Sequence, residues 1–339
     1  MLILAIDTTG FSASIALVKD GREVLFNKIS SGFVSKKNWW DFPYLLPEHH
    51  QKFLLKNLKN INWQEIDAIA VSADSGIYTC ILTGVSIAKT LANCYKKPLI
   101  EIDHLLAHIY STWLERNPND FKFPILVFSA SGSHSDFVLL NNKNECRVIY
   151  GAVPQKAKGE INVFIGIGKI FYQMGKDLGV ITSADAGVSK LMEVAKKGDV
   201  RKFDFVKYYQ RPVLDLNFSG FMDSINRFIK KKKQLSPKLI NDIAASFQES
   251  ITKILTDKII KLAENKKVKE IHIAGGISEN KYLENKLKQR IEKEKLPFVL
   301  RYPAKKQYRL DNAAMIGCLA HYQKKYKIKF KNFKPNITK

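Results

Sequence analysis

Residues 2–21 read LILAIDTTGFSASIALVKDG, and residues 123–142 read FPILVFSASGSHSDFVLLNN. Each stretch begins with an apolar run typical of a buried strand, passes through small Thr, Ser and Gly residues that favour a turn, and returns to a second strand. In the first copy the pair Asp20–Gly21 marks the next turn. Two copies of one ββ unit in separate halves of a chain predict two related lobes that face each other.

Strands alternate with helices in the rest of the sequence, which predicts an α/β protein. A helix is also expected after the turn AGGIS, with Ser278 near its cap. The other predicted elements are helices over 48–61, 84–97, 239–267 and 310–325, and strands over 66–73, 98–103 and 268–276.

Two lobes that each begin with a β-hairpin, within an α/β chain, predict an actin-like or sugar-kinase-like (ASKHA) fold with a cleft between its duplicated lobes. We expect lobe I at residues 1–120, with helix 308–325 packing back on it. Lobe II is expected at 121–307 and a basic tail at 326–339.

The composition indicates a globular protein that attracts polyanions. Hydrophobic residues make up 45% of the 339 residues, and the formal net charge is +23. Lysines cluster at 227–234 and alternate with aromatic residues at 323–339, which favours nucleic acid; a Lys-rich bias spread over solvated faces would give the same charge. The four scattered cysteines and the lack of a signal peptide or a bilayer-long apolar run predict a cytoplasmic protein without a membrane partner.

The segment IEIDHLLAHIY, residues 100–110, carries His104 and His108 four positions apart. On a helix this spacing turns both imidazoles to one side, as in half of a metal site, although a plain helix stripe gives the same pattern. Leu105 stands where an HExxH metalloprotease helix places its general-base glutamate, which argues against a protease.

Three turns combine small residues with hydroxyl groups: DTTG at 7–10, SASGSH at 129–134 and AGGIS at 274–278. Small residues let backbone amides approach a phosphate or a ribose closely. Three such turns at strand ends of repeated lobes indicate a nucleotide-like ligand.

Five motifs resemble those of the tRNA N6-adenosine threonylcarbamoyltransferase family and follow one another along the chain as they do in the family, over residues 1 to about 322. DHLLAH is similar to the family's HHxxxH-type helix start, and LDNAAMIG to its TDNGAMIA. IAGGISENKYLENKL is similar to AGGVSANxxLRxxL, SGSHSDFVL to SGGHTxL, and LDLNFSGFMDSI (214–225) to LDFSFSGLKTA.

The resemblance implies transfer of a threonylcarbamoyl group from threonylcarbamoyl-adenylate to N6 of adenosine 37 in tRNAs that read ANN codons. It also implies one divalent metal ion, Fe²⁺ or Zn²⁺, and as partners tRNA with accessory proteins, TsaB-like and ATPase. The ligands carried over to this sequence are His104, His108 and Asp311. The substrate-binding residues carried over are Ser131, Gly132, Gly275, Gly276 and Asn280, and further substrate contacts are expected from Asp7, Thr8, Thr9, His134, Tyr172 and Asp185.

The sequence departs from the family pattern where the nucleotide would bind. Lys169 and Tyr172 replace a glutamate and the ribose-binding aspartate of DxAxGEAFDKxAKxLG, and Asp185 replaces a glycine of YPGGP. The N-terminal ETSCDET becomes DTTGFSA, which is closer to the DTSTxxxSVAL start of the family's non-catalytic bacterial partner. A non-catalytic paralogue that binds tRNA or a protein therefore stays open as an alternative. A sugar-kinase-like phosphotransferase is a third reading, but it leaves the two histidines unexplained.

Overall fold

A computed structural model describes residues 1–31, 42–131, 134–151, 166–181, 188–212, 215–232 and 234–331. Within these ranges the strands form two sheets, one in each half of the chain.

The first sheet follows from the opening sequence repeat. Its strands are β1 (Leu2–Asp7), β2 (Ser14–Lys19), β3 (Glu23–Ile29), β4 (Ala68–Asp74) and β5 (Leu99–Asp103). Their order is β3-β2-β1-β4-β5, with antiparallel pairing among the first three strands and parallel pairing of β1, β4 and β5. The carboxyl ends of the three parallel strands therefore lie together at one edge of the sheet.

The second sheet repeats this topology. Its strands are β6 (Ile125–Ser131), β7 (His134–Asn142), β8 (Glu145–Gly151), β9 (Glu270–Ala274), β10 (Val299–Arg301) and β11 (Lys329–Lys331). The order is β10-β9-β6-β7-β8-β11, so β6 to β10 reproduce the arrangement of β1 to β5, and β11 adds a parallel strand beside β8. The duplication predicted from the two sequence copies is confirmed.

The helices pack as layers outside and between the two sheets. They are α1 (Phe42–Leu58), α2 (Tyr78–Cys94), α3 (His104–Tyr110), α4 (Ile167–Asp177), α5 (Val188–Ala195), α6 (Ser219–Lys230), α7 (Pro237–Asn265), α8 (Lys281–Lys293) and α9 (Ala313–Tyr326).

Side chains that alternate along β1 separate two layers of core. Leu4 and Ile6 pack with residues of α1 and α2, whereas Ile3 and Ala5 point to the other face, into a core that includes α3 and α9. The central core also contains Ile125 and Val127 of β6, so α3 and α9 lie between the two sheets. The opposite face of the second sheet packs against α4 to α8.

An ion pair joins the neighbouring strands β9 and β10 of the second sheet. Glu270 on β9 is fully buried and accepts from Arg301 Nε at 2.6 Å and Nη2 at 3.2 Å, and from the Lys122 amide at 2.8 Å. Burial by itself would raise the pKa of Glu270, but hydrogen bonds from His272 and Arg301 lower it to about 2. Nε2 of His272 lies 3.0 Å from Glu270 Oε2, and its Nδ1 lies 2.9 Å from Thr112 Oγ1, so both ring nitrogens have partners in the packed interior.

Two local expectations from the sequence differ from the structure. The turn at Gly275 continues into a short 3₁₀ helix, Gly276–Glu279, and Asn280 rather than Ser278 caps α8. Residues expected in the basic tail include strand β11, which belongs to the second sheet; residues 332–339 of that tail lie outside the described ranges. Lysines do not exclude an edge strand, because alternate side chains point to solvent there.

Candidate metal centre

Three aspartates end the parallel strands of the first sheet and surround the start of α3. The Asp103 side chain caps this helix by accepting from the Leu106 amide at 2.8 Å, and Asp74 accepts from the His104 amide at 3.3 Å. Burial and the neighbouring Asp74 raise the pKa of Asp103 to about 7. Asp7, at the end of β1, lies beside the His104 ring. These contacts fix the position of the first predicted ligand.

The predicted ligands His104, His108 and Asp311 converge. Their ligand atoms lie within 4.8 Å of one another. Asp311 Oδ1 is 3.4 Å from His104 Nε2 and 3.1 Å from His108 Nε2, and the two imidazole rings are 4.8 Å apart, nearly perpendicular. Both histidines are buried, whereas the Asp311 side chain is 41% exposed, so the group opens to solvent on the aspartate side.

The first histidine is held from behind by a hydrogen-bonded cluster. Nδ1 of His104 lies 3.3 Å from Asp7 Oδ2 and 3.0 Å from Thr9 Oγ1. The other oxygen of Asp7 accepts from the Thr9 amide at 3.2 Å, from Thr9 Oγ1 at 2.9 Å and from Ser72 Oγ at 2.7 Å. A carboxylate behind one ring nitrogen keeps the proton there and leaves the other nitrogen free as a ligand.

The electrostatics of the group fit a bound cation. Burial by itself would lower the pKa of His104, but the carboxylates of Asp7 and Asp311 raise it well above its usual value. Nδ1 of His108 is buried without a hydrogen-bond partner among the described residues. Two imidazoles and one carboxylate suit Zn²⁺ or Fe²⁺ and leave coordination positions for water or substrate.

The turn after β1 is held rigidly against α2. Thr8 Oγ1 donates to Cys80 O at 2.8 Å, and the Ile77 amide donates to Thr9 O at 2.9 Å. A Cβ on Gly84 would lie 2.3 Å from Thr8 Oγ1, so this helix position requires glycine for the close approach. The side chains of Thr8 and Thr9, predicted to contact substrate, are thus buried and hydrogen-bonded to neighbouring protein groups.

The second sheet brings its glycine turn to the same place. Gly275 has φ +72°, and a Cβ there would lie 2.7 Å from Ala130 O. Gly276 lies against Ser131 and Leu310, the residue before Asp311. Three predicted substrate-binding residues, Ser131, Gly275 and Gly276, therefore lie next to the metal-ligand segment.

The other predicted substrate contacts have different surroundings. His134 pairs with Ser131, and burial and then the charges of His104 and His108 lower its pKa, so it lies near the ligands. Asn280 is 2% exposed, and its Oδ1 accepts from two amides at the start of α8. Tyr172 lies half-buried on α4, with the Lys176 ammonium 5.6 Å from its ring centroid. Gly132 and Asp185 lie outside the described residues.

His50, on α1, is fully buried. Burial lowers its pKa to about 4, so the ring is neutral at physiological pH. The pair His49–His50 looks polar in the sequence, but one of two neighbouring helix residues can point inward.

Three side chains that organise the site were missed in the sequence. Ser72 lies inside β4, and Asp74 ends that strand; both act across to neighbouring strands, which no local motif signals. Arg309 precedes Asp311 by two residues and donates to Ser278 O at 2.6 Å, tying the ligand segment to the turn after β9. The position of Arg309 close to a predicted ligand could have drawn attention to it, but its partner, Ser278, is 31 residues away in the sequence.

Comparison with known proteins identifies the family of this chain. The sequence profile described as TsaD, tRNA N6-adenosine threonylcarbamoyltransferase, matches residues 48–318. A protein named tRNA N6-adenosine threonylcarbamoyltransferase from Riemerella anatipestifer is 33% identical over 333 residues, which cover 94% of this chain and 92% of that protein. The chain belongs to this family. The resemblance read from the five motifs is therefore confirmed.

Solved structures confirm the predicted actin-like and sugar-kinase-like fold. HypF from T. kodakarensis matches with a TM-score of 0.64 at 14% identity, over 96% of this chain and 48% of HypF. A ROK family protein from Streptococcus pneumoniae matches with a TM-score of 0.51 at 12% identity, over 96% and 99% of the two chains. At these identities the likeness shows the fold, and function must come from the site.

Proposed function

We propose that this protein transfers the threonylcarbamoyl group of threonylcarbamoyl-adenylate to N6 of adenosine 37 in tRNAs that read ANN codons. The observation that carries the proposal is the convergence of His104, His108 and Asp311 in a chain of the threonylcarbamoyltransferase family. In the reaction the bond between N6 and the carbamoyl carbon forms, and the bond from that carbon to the phosphate oxygen breaks. AMP leaves with the electron pair, and N6 loses one proton.

One divalent ion, Fe²⁺ or Zn²⁺, is proposed as the cofactor, held by His104, His108 and Asp311. When bound, such an ion supplies a Lewis acid for an oxygen of the transferred group. The residues around it have separate tasks. Asp7 and Thr9 keep the proton of His104 on Nδ1, which supports the proposed ligand role of Nε2.

Substrate would be held on the side of the second sheet. Backbone amides at Gly275 and Gly276, with Ser131 and Gly132, are proposed to contact the adenylate, since glycines permit a close backbone approach. We propose Tyr172 and Asp185 as replacements for the missing ribose carboxylate, because both side chains can hydrogen-bond sugar hydroxyls. Asn280 and His134 complete the proposed contacts.

The partners proposed are tRNA and accessory proteins of the same modification, TsaB-like and ATPase. A net charge of +23 favours an RNA partner through phosphate contacts. The described helices include none with the length and apolar character to cross a bilayer. The proposed location is the cytoplasm. The proposed lobes are 1–120 with 308–325, and 121–307.

The test is a reconstituted transfer assay. Metal-loaded protein, its accessory proteins, tRNA and threonylcarbamoyl-adenylate are mixed, and modified adenosine is measured by mass spectrometry of digested tRNA. We expect product with the wild type and none with Asp311→Ala. Asp223→Ala on α6 serves as the control, because this exposed residue lies outside the ligand group. Absence of product with the wild type, metal bound and partners verified, would reject the transferase and favour the non-catalytic paralogue.

A further inference from the structure

Two lysine-rich segments in the second half of the chain concentrate exposed positive charge. Residues 196–207 and 227–238 contain eleven lysines and arginines but only two aspartates. The ten of these bases that the structure describes are all exposed, and no ion pair among the described residues includes any of them. The two aspartates instead accept hydrogen bonds from backbone amides two residues farther on, at 2.9 Å for Asp199 and 3.1 Å for Asp204. We call the ten described bases of these two segments the basic rim.

Both segments lie at the start of α7. In the first segment the Phe203 ring centroid lies 5.0 Å from that of Phe228 on α6, and the Phe203 amide donates to Ser246 Oγ on α7 at 3.1 Å. The Asp199 amide donates to Asp242 Oδ1 on α7 at 2.9 Å. The second segment runs from the last turn of α6 into the first turn of α7. The basic rim is therefore one surface, built on the end of α6 and the first turns of α7.

Helix α8 also carries many bases, but they are paired. Lys281 and Lys288 each lie 2.8 Å from an oxygen of Glu284, and Lys286 lies 2.8 Å from Glu249. The charge of these lysines is balanced within the protein. No ion pair of the described ranges balances the charge of the basic rim, so this surface attracts anions from solution.

Contacts between α7 and α8 give the direction of α7. Glu249 accepts from Tyr282 Oη, near the start of α8, at 2.6 Å, and Asp257 accepts from Arg290 Nη1, about two turns farther along α8, at 2.9 Å. Since the residue numbers rise together, the two helices run parallel. Helix α8 begins just after the turn at the carboxyl end of β9, so Glu249 lies level with that end of the strand.

The start of α7 extends beyond this level. Lys238 precedes Glu249 by eleven residues, which is about 16 Å of helix. The carboxyl end of β9 leads to Gly276, which lies against Leu310 beside Asp311. The basic rim therefore lies past the end of the second sheet that contacts the metal-ligand segment.

We propose that the basic rim binds the phosphate backbone of tRNA outside the loop that carries the acceptor adenosine. This inference rests on the function proposed above for its choice of tRNA. Lysine and arginine contacts to phosphates supply affinity and fix the register of a nucleic acid without reading its sequence. When the acceptor nucleotide lies at the ligand group, the rest of the tRNA lies outside that group, where a surface about 16 Å farther along can contact it.

The surroundings of the basic rim favour RNA over an anionic membrane. Proteins that lie on a membrane combine bases with exposed apolar side chains that enter the lipid. The large apolar side chains that are exposed in the described ranges lie between Phe11 and Tyr95 and at Leu310, outside both segments. A surface of bases without such side chains matches a phosphate backbone.

The test measures how tRNA binding depends on salt. A tRNA transcript is titrated with metal-loaded, full-length protein at several KCl concentrations, for the wild type and for a double variant with Lys202→Ala and Lys230→Ala, one from each segment. Each lost phosphate contact lowers the slope of log Kd against log [KCl] by about 1, so the double variant should lose about 2 from the slope and bind about 10- to 60-fold more weakly at about 0.1 M salt. Lys202→Arg with Lys230→Arg should retain both values.

The matched control is Lys261→Ala with Lys266→Ala. These two lysines are exposed at the other end of α7, and their removal changes the net charge by the same amount. The control should keep the slope and the affinity of the wild type. An equal loss in the control would show that only the net charge matters and would overturn the assignment to the basic rim.

Further ligands locate the contact. A single-stranded oligonucleotide with the loop sequence alone should bind the wild type and the double variant equally; an equal loss for this oligonucleotide would overturn the placement outside the loop. An unchanged slope with tRNA would overturn the proposal, as would a double variant that loses binding to phosphatidylserine vesicles but not to tRNA.

The transfer assay separates this inference from the proposed function. The double variant should raise the KM for tRNA and leave kcat unchanged, because the basic rim lies away from the ligand group. A wild type that binds tRNA with the expected salt dependence but forms no product would reject the proposed function and leave the basic rim standing.

Discussion

Replacing Asp7 by Asn should weaken metal binding although it removes only one charge and no volume. One oxygen of Asp7 accepts from two Thr9 donors and from Ser72 Oγ, so the Asn carbonyl must keep that position. The new NH₂ group then occupies the place of Oδ2, 3.3 Å from Nδ1 of His104. As an NH₂ can only donate, Nδ1 becomes the acceptor and the proton moves to Nε2.

A proton on Nε2 blocks the nitrogen that is proposed to bind the metal. Loss of such a supporting carboxylate weakens metal binding by about 10- to 100-fold, which corresponds to about 1.4 to 2.7 kcal/mol. The assay is competition for Zn²⁺ against a chromophoric chelator at pH 7, with the unfolding midpoint recorded to show that the variant is folded. Asp223→Asn is the matched control, because it removes one carboxylate from an exposed position on α6. Zn²⁺ affinity of Asp7→Asn within twofold of the wild type would refute the reasoning.

Substitutions at three further residues test the packing that supports the site. Glu270→Gln should lower the free energy of unfolding by about 2–4 kcal/mol in urea titrations, since it breaks the buried pair with Arg301. Because the folded pKa of Glu270 is depressed to about 2, its stabilisation is present above pH 4.5 and is lost as the pH falls toward 2; the variant should lack this acid-dependent loss. Asn280→Ala should cost about 1 kcal/mol by removing the cap of α8, whereas Asn280→Ser should restore most of it; equal stabilities would contradict the cap. Gly84→Ala should cost about 1–3 kcal/mol through its contact with Thr8, and an unchanged melting temperature would show that the turn gives way.

The fold was predictable because its signal is periodic and repeated. The alternation of Leu4 and Ile6 with Ile3 and Ala5 indicates a strand buried on both faces, and the second copy at β6 predicts the second sheet. The triad was predictable through motifs, since the spacing of His104 and His108 is a local property of one helix turn.

Other parts of the site required the tertiary structure. Asp74 reaches the His104 amide only because β4 and β5 are parallel neighbours, and no spacing in the sequence records that pairing. The burial of His50 likewise depends on which face of α1 packs against lobe I. The cap at Asn280 was missed since a 3₁₀ turn follows Gly275 and delays the helix.

Helix α9 packs on the first sheet, whereas the segments just before and just after it bind elements of the second sheet. At its start Arg309 bonds the turn after β9, and beyond its end β11 pairs with β8. The helix therefore packs on one sheet, while the chain on either side of it is bonded to the other sheet. If the two sheets moved relative to each other, Asp311 would follow the turn after β9 through Arg309, while His104 and His108 would stay on α3. The distances from the Asp311 carboxylate to the imidazoles of His104 and His108 would then change with the opening of the cleft.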